Sequence, residues 1–396
     1  DWEDEKYYSD IIVGGIPCFK SGTLITTDNG LKPIEDIKSG DMVLTHKNRF
    51  RRVVVPMIKK SKNILDIKIQ GSPLISATEE HPFYVREMSR KWNNERRCEE
   101  RVFSDPKWVN AKDLKPTHHF VGFGLNTESS NTENLTAEEC WYLGRFMADG
   151  YCTSRSLRDG KERKVYKTTL CVGERKVSNL YDFKEIKVYP TRERTVFKYH
   201  TYNKRLHSLC LKIGRGAENK EIPTFILNLP VYLLKIFIDG YLSGDGSVKD
   251  GKYSATTVSK KLAYSLCQAV FKCYQTPCSI TFTKRPPTHI IDGRTVNQKD
   301  TYRVQFCKKN RKQNNAVCID GVMWQPVKSI DEREHNDYVY NFEVEEDNSY
   351  VAENCIVHNC QAFSLAGKRL GELDARGLLF YDFYRYVKNQ QPKYFI

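Results

Sequence analysis

A cysteine near one end of the chain and a His-Asn-Cys triplet near the other are the residues best suited to remaking a backbone. Cys18 is a thiol nucleophile that can attack the carbonyl of the residue before it and turn an amide into a thioester. A second thiol, Cys360, can take over that acyl group by transesterification. Asn359, just before it, can cyclise its side-chain amide nitrogen onto its own carbonyl and break the bond to Cys360. An S-to-N shift then rejoins the free ends. His358 stands beside the asparagine as an acid–base group. A second constellation lies between these ends. The stretches Tyr142 to Gly150 and Ile238 to Gly246 each finish in Asp-Gly, at Asp149 and Asp245. Gly144 with Ala148, and Gly240 with Gly244, are spaced four apart, so each pair shares one helix face and two such helices can approach closely. Their terminal carboxylates would then lie side by side, a natural divalent-metal site for cleaving phosphodiesters. Each Asp-Gly also reads as a helix C-terminus with left-handed glycine.

The elements that must position these groups change character along the chain. Residues 18–124 read as short strands and turns, among them Thr23 to Thr26, Met42 to Leu44 and Ile64 to Ile69. In residues 125–320, helical stretches such as Thr136 to Met147 and Pro230 to Leu242 alternate with basic strands, an α+β pattern with two similar halves. Strands return in 321–359, for example Tyr338 to Val344. Residues 360–396 read as a polar loop and a helix from about Gly377 to Lys388. The pattern is a β domain interrupted by an α+β insertion, itself set between host flanks at 1–17 and 360–396.

Composition narrows the class. The 396 residues suffice for two or three domains, and 40% hydrophobic residues allow sizeable cores. No apolar run is long enough to span a membrane, and the acidic start, Asp1 to Glu5, lacks a signal peptide's apolar region and reads as the middle of a larger protein. The 13 cysteines include no CxxC pair, which argues for free thiols in a reducing, cytoplasmic compartment rather than zinc or disulfides. Cys171, Cys210, Cys267 and Cys307 sit beside apolar residues and read as buried filler. The net charge of +14 is concentrated: residues 154–220 carry 18 Lys+Arg against 7 Asp+Glu, and residues 284–312 carry 9 against 2. With tyrosines and phenylalanines interleaved, such strips suit a nucleic-acid backbone or, more plainly, a solvated face.

The ordered segments at both ends resemble the splicing blocks of inteins. Cys18-Phe19-Lys20-Ser21-Gly22-Thr23-Leu24-Ile25 with Ile34 to Val43 resembles the first block, and Thr78-Glu79-Glu80-His81 the TxxH block. Val339 to Val344 with Tyr350-Val351-Ala352 resembles the penultimate block, and Ile356-Val357-His358-Asn359 the last. The resemblance implies an all-β Hint splicing domain with a horseshoe-like fold. It implies that His81 protonates the scissile nitrogen at Cys18, with Thr78 hydrogen-bonding nearby. The chain departs from the family at two activating positions: Asn341 stands where Asp is frequent, and Asn348 where His is frequent. Pro17, before the nucleophile, has a fixed φ that bears on the first acyl shift.

The segments ending at Asp149 and Asp245 resemble LAGLIDADG motifs of homing endonucleases, and Lys220-Glu221-Ile222-Pro223 resembles the KxIP block of intein endonucleases. This resemblance implies an inserted α+β endonuclease over 125–320, acting on double-stranded DNA with Mg²⁺ at Asp149 and Asp245 and with Lys220 near the scissile phosphate. Lys308 or Lys309 is the candidate counterpart in the second half. Splicing itself needs no cofactor. The flanks, joined on paper as GGIPCQAFSLAGKR, resemble the Pro-Cys loop of cytosine-5 DNA methyltransferases, and Asp374 to Phe380 and Gln391 to Ile396 fit that family too. They would be fragments of an α/β methyltransferase whose loop Cys, Cys360, attacks a flipped-out cytosine and whose cofactor is S-adenosylmethionine, with the cofactor site beyond this chain. The expected protein is a splicing, DNA-cutting monomer with no membrane partner, its own flanks the splicing substrate. The alternative is a methyltransferase fragment with an inert, DNA-binding insertion. A hedgehog-like autoprocessing domain fits less well, given Asn359-Cys360 and the host sequence after it.

Overall fold

The computed structural model describes residues 17–359 apart from 159–160, 180, 292–293 and 310–314. The N-terminal strands β1 (Phe19–Lys20), β2 (Leu24–Thr27), β3 (Phe50–Ile69), β4 (Leu74–Ala77), β5 (Pro82–Asn93) and β6 (His119–Phe123) share one 14-stranded sheet with the short strand Val317–Ile319 and with three strands that follow it. These are β7 (Val322–Val344), β8 (Ser349–Ala352) and β9 (Cys355–His358). The long strands β3 and β7 run antiparallel from Ile69 opposite Val327 to Val53 opposite Val344, with register breaks between Glu334 and Asp337 and between Phe342 and Val344. Strict alternation seats this ribbon: Ile67 and Ile69 point inward and are fully buried while Lys68 between them does not. Its polar middle projects outward, where Arg333 pairs with Asp66 at 2.8 Å. Phe19, Ile25, Ile67, Phe83, Val121, Phe342 and Tyr350 share one apolar core. The strands expected at Met42–Leu44, Ile64–Ile69 and Tyr338–Val344 are present, the last two as parts of β3 and β7.

Residues between these strands form two four-stranded antiparallel sheets, one from Gly150–Arg158, Lys161–Gly173, Val196–Thr201 and Tyr189–Glu193, the other from Gly246–Lys249, Lys252–Thr257, Thr301–Cys307 and Cys278–Thr283. Each follows a helix, α1 (Ala137–Asp149) or α2 (Val231–Asp245). Thr136 starts α1 through a capping box: its side chain accepts from the Glu139 N–H and Glu139 reaches back to its own. The two helices lie backbone against backbone and in the same sense. A Cβ on Gly144 would stand 2.0 Å from the Phe237 carbonyl oxygen, one on Gly240 2.2 Å from that of Trp141, and one on Gly244 2.4 Å from the Ala148 Cβ. The small-residue spacing thus works as expected, and both helices run on to the aspartates, further than the expected ends at Met147 and Leu242.

The left-handed Asp-Gly cap does not occur. Gly150 has φ −97° and Gly246 φ −82°, both extended. The chain turns directly from helix into strand, so a Cβ would stand 2.6 Å from the Phe146 oxygen at Gly150 and 2.3 Å from the Leu242 oxygen at Gly246. Glycine is needed there for space, not handedness. The cysteine expectation also needs correction: Cys210 and Cys267 are buried, but Cys171 and Cys307 lie in strands that leave them half-exposed.

A third helix, α3 (Lys260–Tyr274), joins the inserted sheets to the long one. Phe271 enters the core of the large sheet, while Leu24 and Leu31 enter the core around α1 and α2. The Tyr264 hydroxyl donates to Glu353 at 2.8 Å and the Gln268 amide to the Asn354 side chain at 2.8 Å, at the turn between β8 and β9. Glu221 accepts the Leu31 N–H at 2.5 Å from across the hairpin at Gly30.

Candidate active sites

Phe19 pairs with Ala77 on one side and Tyr340 on the other, which holds Cys18 where β4 and β7 meet. Cys18 is fully buried. Thr78 clamps it on both sides: the Cys18 N–H donates to Thr78 Oγ1 at 2.9 Å, and the Thr78 N–H donates to the Cys18 carbonyl at 2.9 Å. A tight turn, His81 N–H to Thr78 carbonyl at 3.1 Å, brings the His81 ring back over the same place. The ring lies 4.0 Å from that of Phe19 and also meets Phe83 and Tyr350. Burial among these apolar rings pushes the imidazole down to about 3, helped by the charge of His358, and the Pro17 backbone opposes this only in part. Neither ring nitrogen completes a well-aligned hydrogen bond among the described residues, although the Pro17 backbone is close enough to favour the proton. His81 is therefore neutral at physiological pH. Asn341, read in the sequence as a departure, is also here: its Nδ2 donates to the Pro17 carbonyl.

The second junction sits at the end of β9. Val357 pairs with Phe83, two residues after His81, so β9 ends next to the first junction. The Asn359 N–H donates to the Asn348 carbonyl at 3.0 Å. With its amide in the orientation that satisfies both ends, Asn359 Nδ2 donates to the Asn348 carbonyl at 2.7 Å and Oδ1 accepts from the Val344 N–H at 2.7 Å. Asn348, the other departure, thus contributes its backbone; its φ of 50° is a conformation asparagine tolerates. His358 Nδ1 lies 2.7 Å from the Asn359 carbonyl oxygen, so that nitrogen carries the proton. Trp108 packs edge-on against the His358 ring at 4.9 Å. The turn before β8 is anchored by Asp347, whose buried carboxylate takes Arg49 Nε at 2.8 Å and the Thr45 hydroxyl at 2.8 Å. Burial alone would raise Asp347, but these partners and Lys47 hold it far below the usual carboxylate range. Cys360 and both flanks, 1–16 and 360–396, lie outside the described residues, and with them the expected helix at Gly377 to Lys388.

The third site is at the converging ends of α1 and α2. Asp149 and Asp245 reach the surface together, and crowding by surrounding protein, with the Asp149 charge, pushes Asp245 up to about 6 even though one side of it faces solvent. Burial first and the neighbouring Asp149 charge second disfavour a charged Asp245, a penalty that a bound cation would relieve, so the site fits a divalent metal. Lys220 is drawn in from the side. Its Nζ donates to the Met147 carbonyl at 2.5 Å and the Ala148 carbonyl at 2.9 Å, and burial lowers its pKa against the pull of both acids. Lys308 does not reach this centre. It pairs with Asp239 at 2.7 Å and lies over the Tyr253 ring. The lysine that does approach from the other side is Lys176, whose Nζ donates to the Gly244 carbonyl, the residue before Asp245. Arg145, buried in α1, donates to Asp149 at 3.1 Å and to the Cys171 carbonyl at 3.0 Å. Lys176 belongs to no motif; Arg145 lies within the first LAGLIDADG-like segment but was not singled out there, and only its charge inside an apolar helix could have marked it. Beside Asp149 opens a cleft of about 1010 Å³ whose lining includes Arg155, Lys164, Arg215 and Lys220.

At the two junctions, a buried Asn341 and a half-buried His358 are aimed at the protein's own peptide carbonyls, those of Pro17 and Asn359, which is the arrangement of a self-processing protein. Residues 23–359 match the intein splicing domain family, so the chain belongs to that family. Residues 359–396 match the C-5 cytosine-specific DNA methylase family. The chain is 27% identical over 382 residues to an iron–sulfur cluster assembly SufBD family protein of Mycobacterium tuberculosis, covering 91% of this chain and 44% of that one. It is 25% identical to an ATP-dependent DNA helicase of Thermococcus kodakarensis, covering 89% of this chain and 37% of the other. It therefore spans less than half the length of these relatives. A 37-residue segment is 62% identical to a type II methyltransferase of Neisseria lactamica, covering 9% of each chain. Among solved structures, an Ssp DnaB mini-intein aligns at 10% identity over 87% of this chain and 99% of its own, with a TM-score of 0.31. The homing endonuclease I-DmoI aligns at 12% identity over 43% of this chain and 84% of its own, also at 0.31. No helix among the described residues is long and apolar enough to cross a membrane.

Proposed function

We propose that the chain excises residues 18–359 and joins 1–17 to 360–396. The neutral His81 ring takes the proton of the Cys18 thiol as sulfur attacks the Pro17 carbonyl, then returns it to the Cys18 nitrogen as the C–N bond breaks. A pKa of about 3 leaves no ready-made imidazolium, so the proton that reaches the leaving amine is the thiol's own. Thr78 fixes the scissile N–H for this transfer. Cys360 next takes the acyl group from Cys18, which recovers its thiol. Asn359 Nδ2 then attacks its own carbonyl while His358 holds that oxygen through Nδ1–H, and the bond to Cys360 breaks as its nitrogen gains a proton. Residues 18–124 and 321–359 make up the splicing domain. The observation that carries this reading is the pair of side-chain contacts onto the Pro17 and Asn359 carbonyls. Intact mass of the expressed full chain tests it: excised and ligated products are expected, and the Cys18→Ala/Asn359→Ala variant should stay full length. Splicing by that variant would refute the assignment.

For residues 125–320 we propose a LAGLIDADG-type endonuclease on double-stranded DNA, and for the flanks a cytosine-5 methyltransferase host. The paired helices, paired acids and basic cleft support the first, and the methylase match at 359–396 supports the second. Similarity to proteins as different as an iron–sulfur cluster assembly protein and a DNA helicase also suits an element carried in different hosts. Asp149 and Asp245 would hold Mg²⁺, which supplies Lewis-acid stabilisation of the phosphodiester oxygens. Lys220 neutralises charge beside them. S-adenosylmethionine would serve only the complete host, where Cys360 would attack cytosine. A specific contact favours the runner-up, an insertion that binds DNA without cutting: Arg145 already pairs with Asp149. Plasmid carrying the uninterrupted site decides between them. Mg²⁺-dependent double-strand cleavage, lost in Asp149→Asn and Asp245→Asn with binding and splicing kept, supports the enzyme. Binding without cleavage by the parent supports the relic.

A further inference from the structure

The Pro17 carbonyl is the atom group on which negative charge must appear when Cys18 sulfur attacks, because the C=O π pair moves onto oxygen as the S–C bond forms. The side chain seated on that oxygen is Asn341, near the end of β7, far from Pro17 in sequence. Its amide cannot turn away. Oδ1 accepts the Phe342 N–H at 2.8 Å and the Tyr350 hydroxyl at 2.8 Å, so the oxygen end is pinned by two donors and the NH₂ end must face Pro17. Asn341 is almost wholly buried, and the Tyr350 ring is locked against Phe342 at 4.2 Å and edge-on to Phe19. The site is thus dry, rigid and neutral.

We propose that Asn341 is the oxyanion donor of the first acyl shift, and that Tyr350 is a positioning residue that fixes the direction of its amide. A hydrogen bond onto a carbonyl strengthens as that oxygen becomes an alkoxide, so a donor already in place lowers the barrier without reorganising. The donor is an uncharged amide in a water-poor pocket, so it works at any pH at which the thiol can react. His81 handles the proton and Asn341 the electron pair; the first comes from the turn after β4 and the second from β7.

The test separates this role from general folding by reading the two junctions independently in the full chain. In an Asn359→Ala/Cys360→Ala background only the first shift operates, and added thiol releases residues 1–17. There Asn341→Ala should slow release by ~10²–10³-fold, the loss typical of one oxyanion donor. Tyr350→Phe, which keeps the ring and leaves the Phe342 N–H on Oδ1, should give a smaller but measurable loss. In a Cys18→Ala background, where only Asn359 cyclisation operates, Asn341→Ala should cleave at the parent rate, because its side chain is engaged by Pro17, Phe342 and Tyr350 at the first junction. Release within about threefold of the parent in Asn341→Ala, or equal losses at both junctions, would overturn the proposal.

Discussion

Replacing Gly144 with alanine is the sharpest test of how α1 and α2 are built. The added methyl carbon would stand 2.0 Å from the Phe237 carbonyl oxygen and 2.9 Å from the Tyr241 nitrogen, whereas ordinary contact begins near 3.4 Å. Both obstacles are backbone, so no side chain can swing aside and α2 must withdraw by more than an ångström. Its neighbours resist, because Tyr142, Leu143, Phe237, Ile238 and Tyr241 are all fully buried around the contact. Forcing a methyl into a packed core costs roughly 1–3 kcal/mol, and a backbone clash belongs at the upper end. At roughly 2–4 °C per kcal/mol for a unit of this size, thermal unfolding should move down by about 6–12 °C. The acids would separate as the helices do, and a misplacement of about 1 Å costs on the order of 10²-fold in rate. Gly173→Ala is the matched control, since nothing lies within 4 Å of its built Cβ. Near-UV dichroism on heating reads stability, plasmid cleavage the acid pair, and intact mass the splicing, which should survive. An unchanged transition in Gly144→Ala, or an equal drop in Gly173→Ala, would refute the packing argument.

The two junction histidines should separate cleanly. His81→Ala should depress thiol-induced release at Cys18, while His358→Ala should depress cleavage after Asn359, in single-junction backgrounds; equal effects of each on both ends would end that division. The pH dependence of stability follows from His81. Its native pKa, about 3, lies below the ordinary 6.5, so the stability gained from holding it neutral is present above pH 6.5 and is lost as pH falls towards 3. Urea unfolding of the non-splicing Cys18→Ala/Asn359→Ala chain should therefore lose up to about 1.4 kcal/mol per pH unit below 6.5 from this residue. His81→Asn should flatten that slope, and an identical slope in both proteins would show that the ring is not held neutral.

How far the sequence could be read follows from the range of the physics involved. Cys18, Asn359 and Cys360 announce themselves because their chemistry acts on their own or adjoining peptide bonds, so sequence adjacency is the geometry. The glycines of α1 and α2 were legible because a helix repeats every 3.6 residues and turns spacing into a face. The expectation of left-handed Gly150 and Gly246 failed because the same dipeptide suits a cap and a direct turn into a strand, and only the strand pairing that follows decides between them.

Other assignments depended on partners remote in the chain. Lys308 was a fair candidate by its place in the second half, yet its strand carries it to Asp239, while Lys176 crosses to Gly244. Asn341 looked like a loss of an activating acid until β7 brought it onto Pro17. Residues with chemistry that acts on their own backbone, and faces set by helical or strand period, were determined by the sequence alone. Which side chain meets a carbonyl more than three hundred residues away was decided by the antiparallel register of β3, β7 and β9, because a one-residue slip in any of them would turn Asn341 or Asn359 to the opposite face of the sheet.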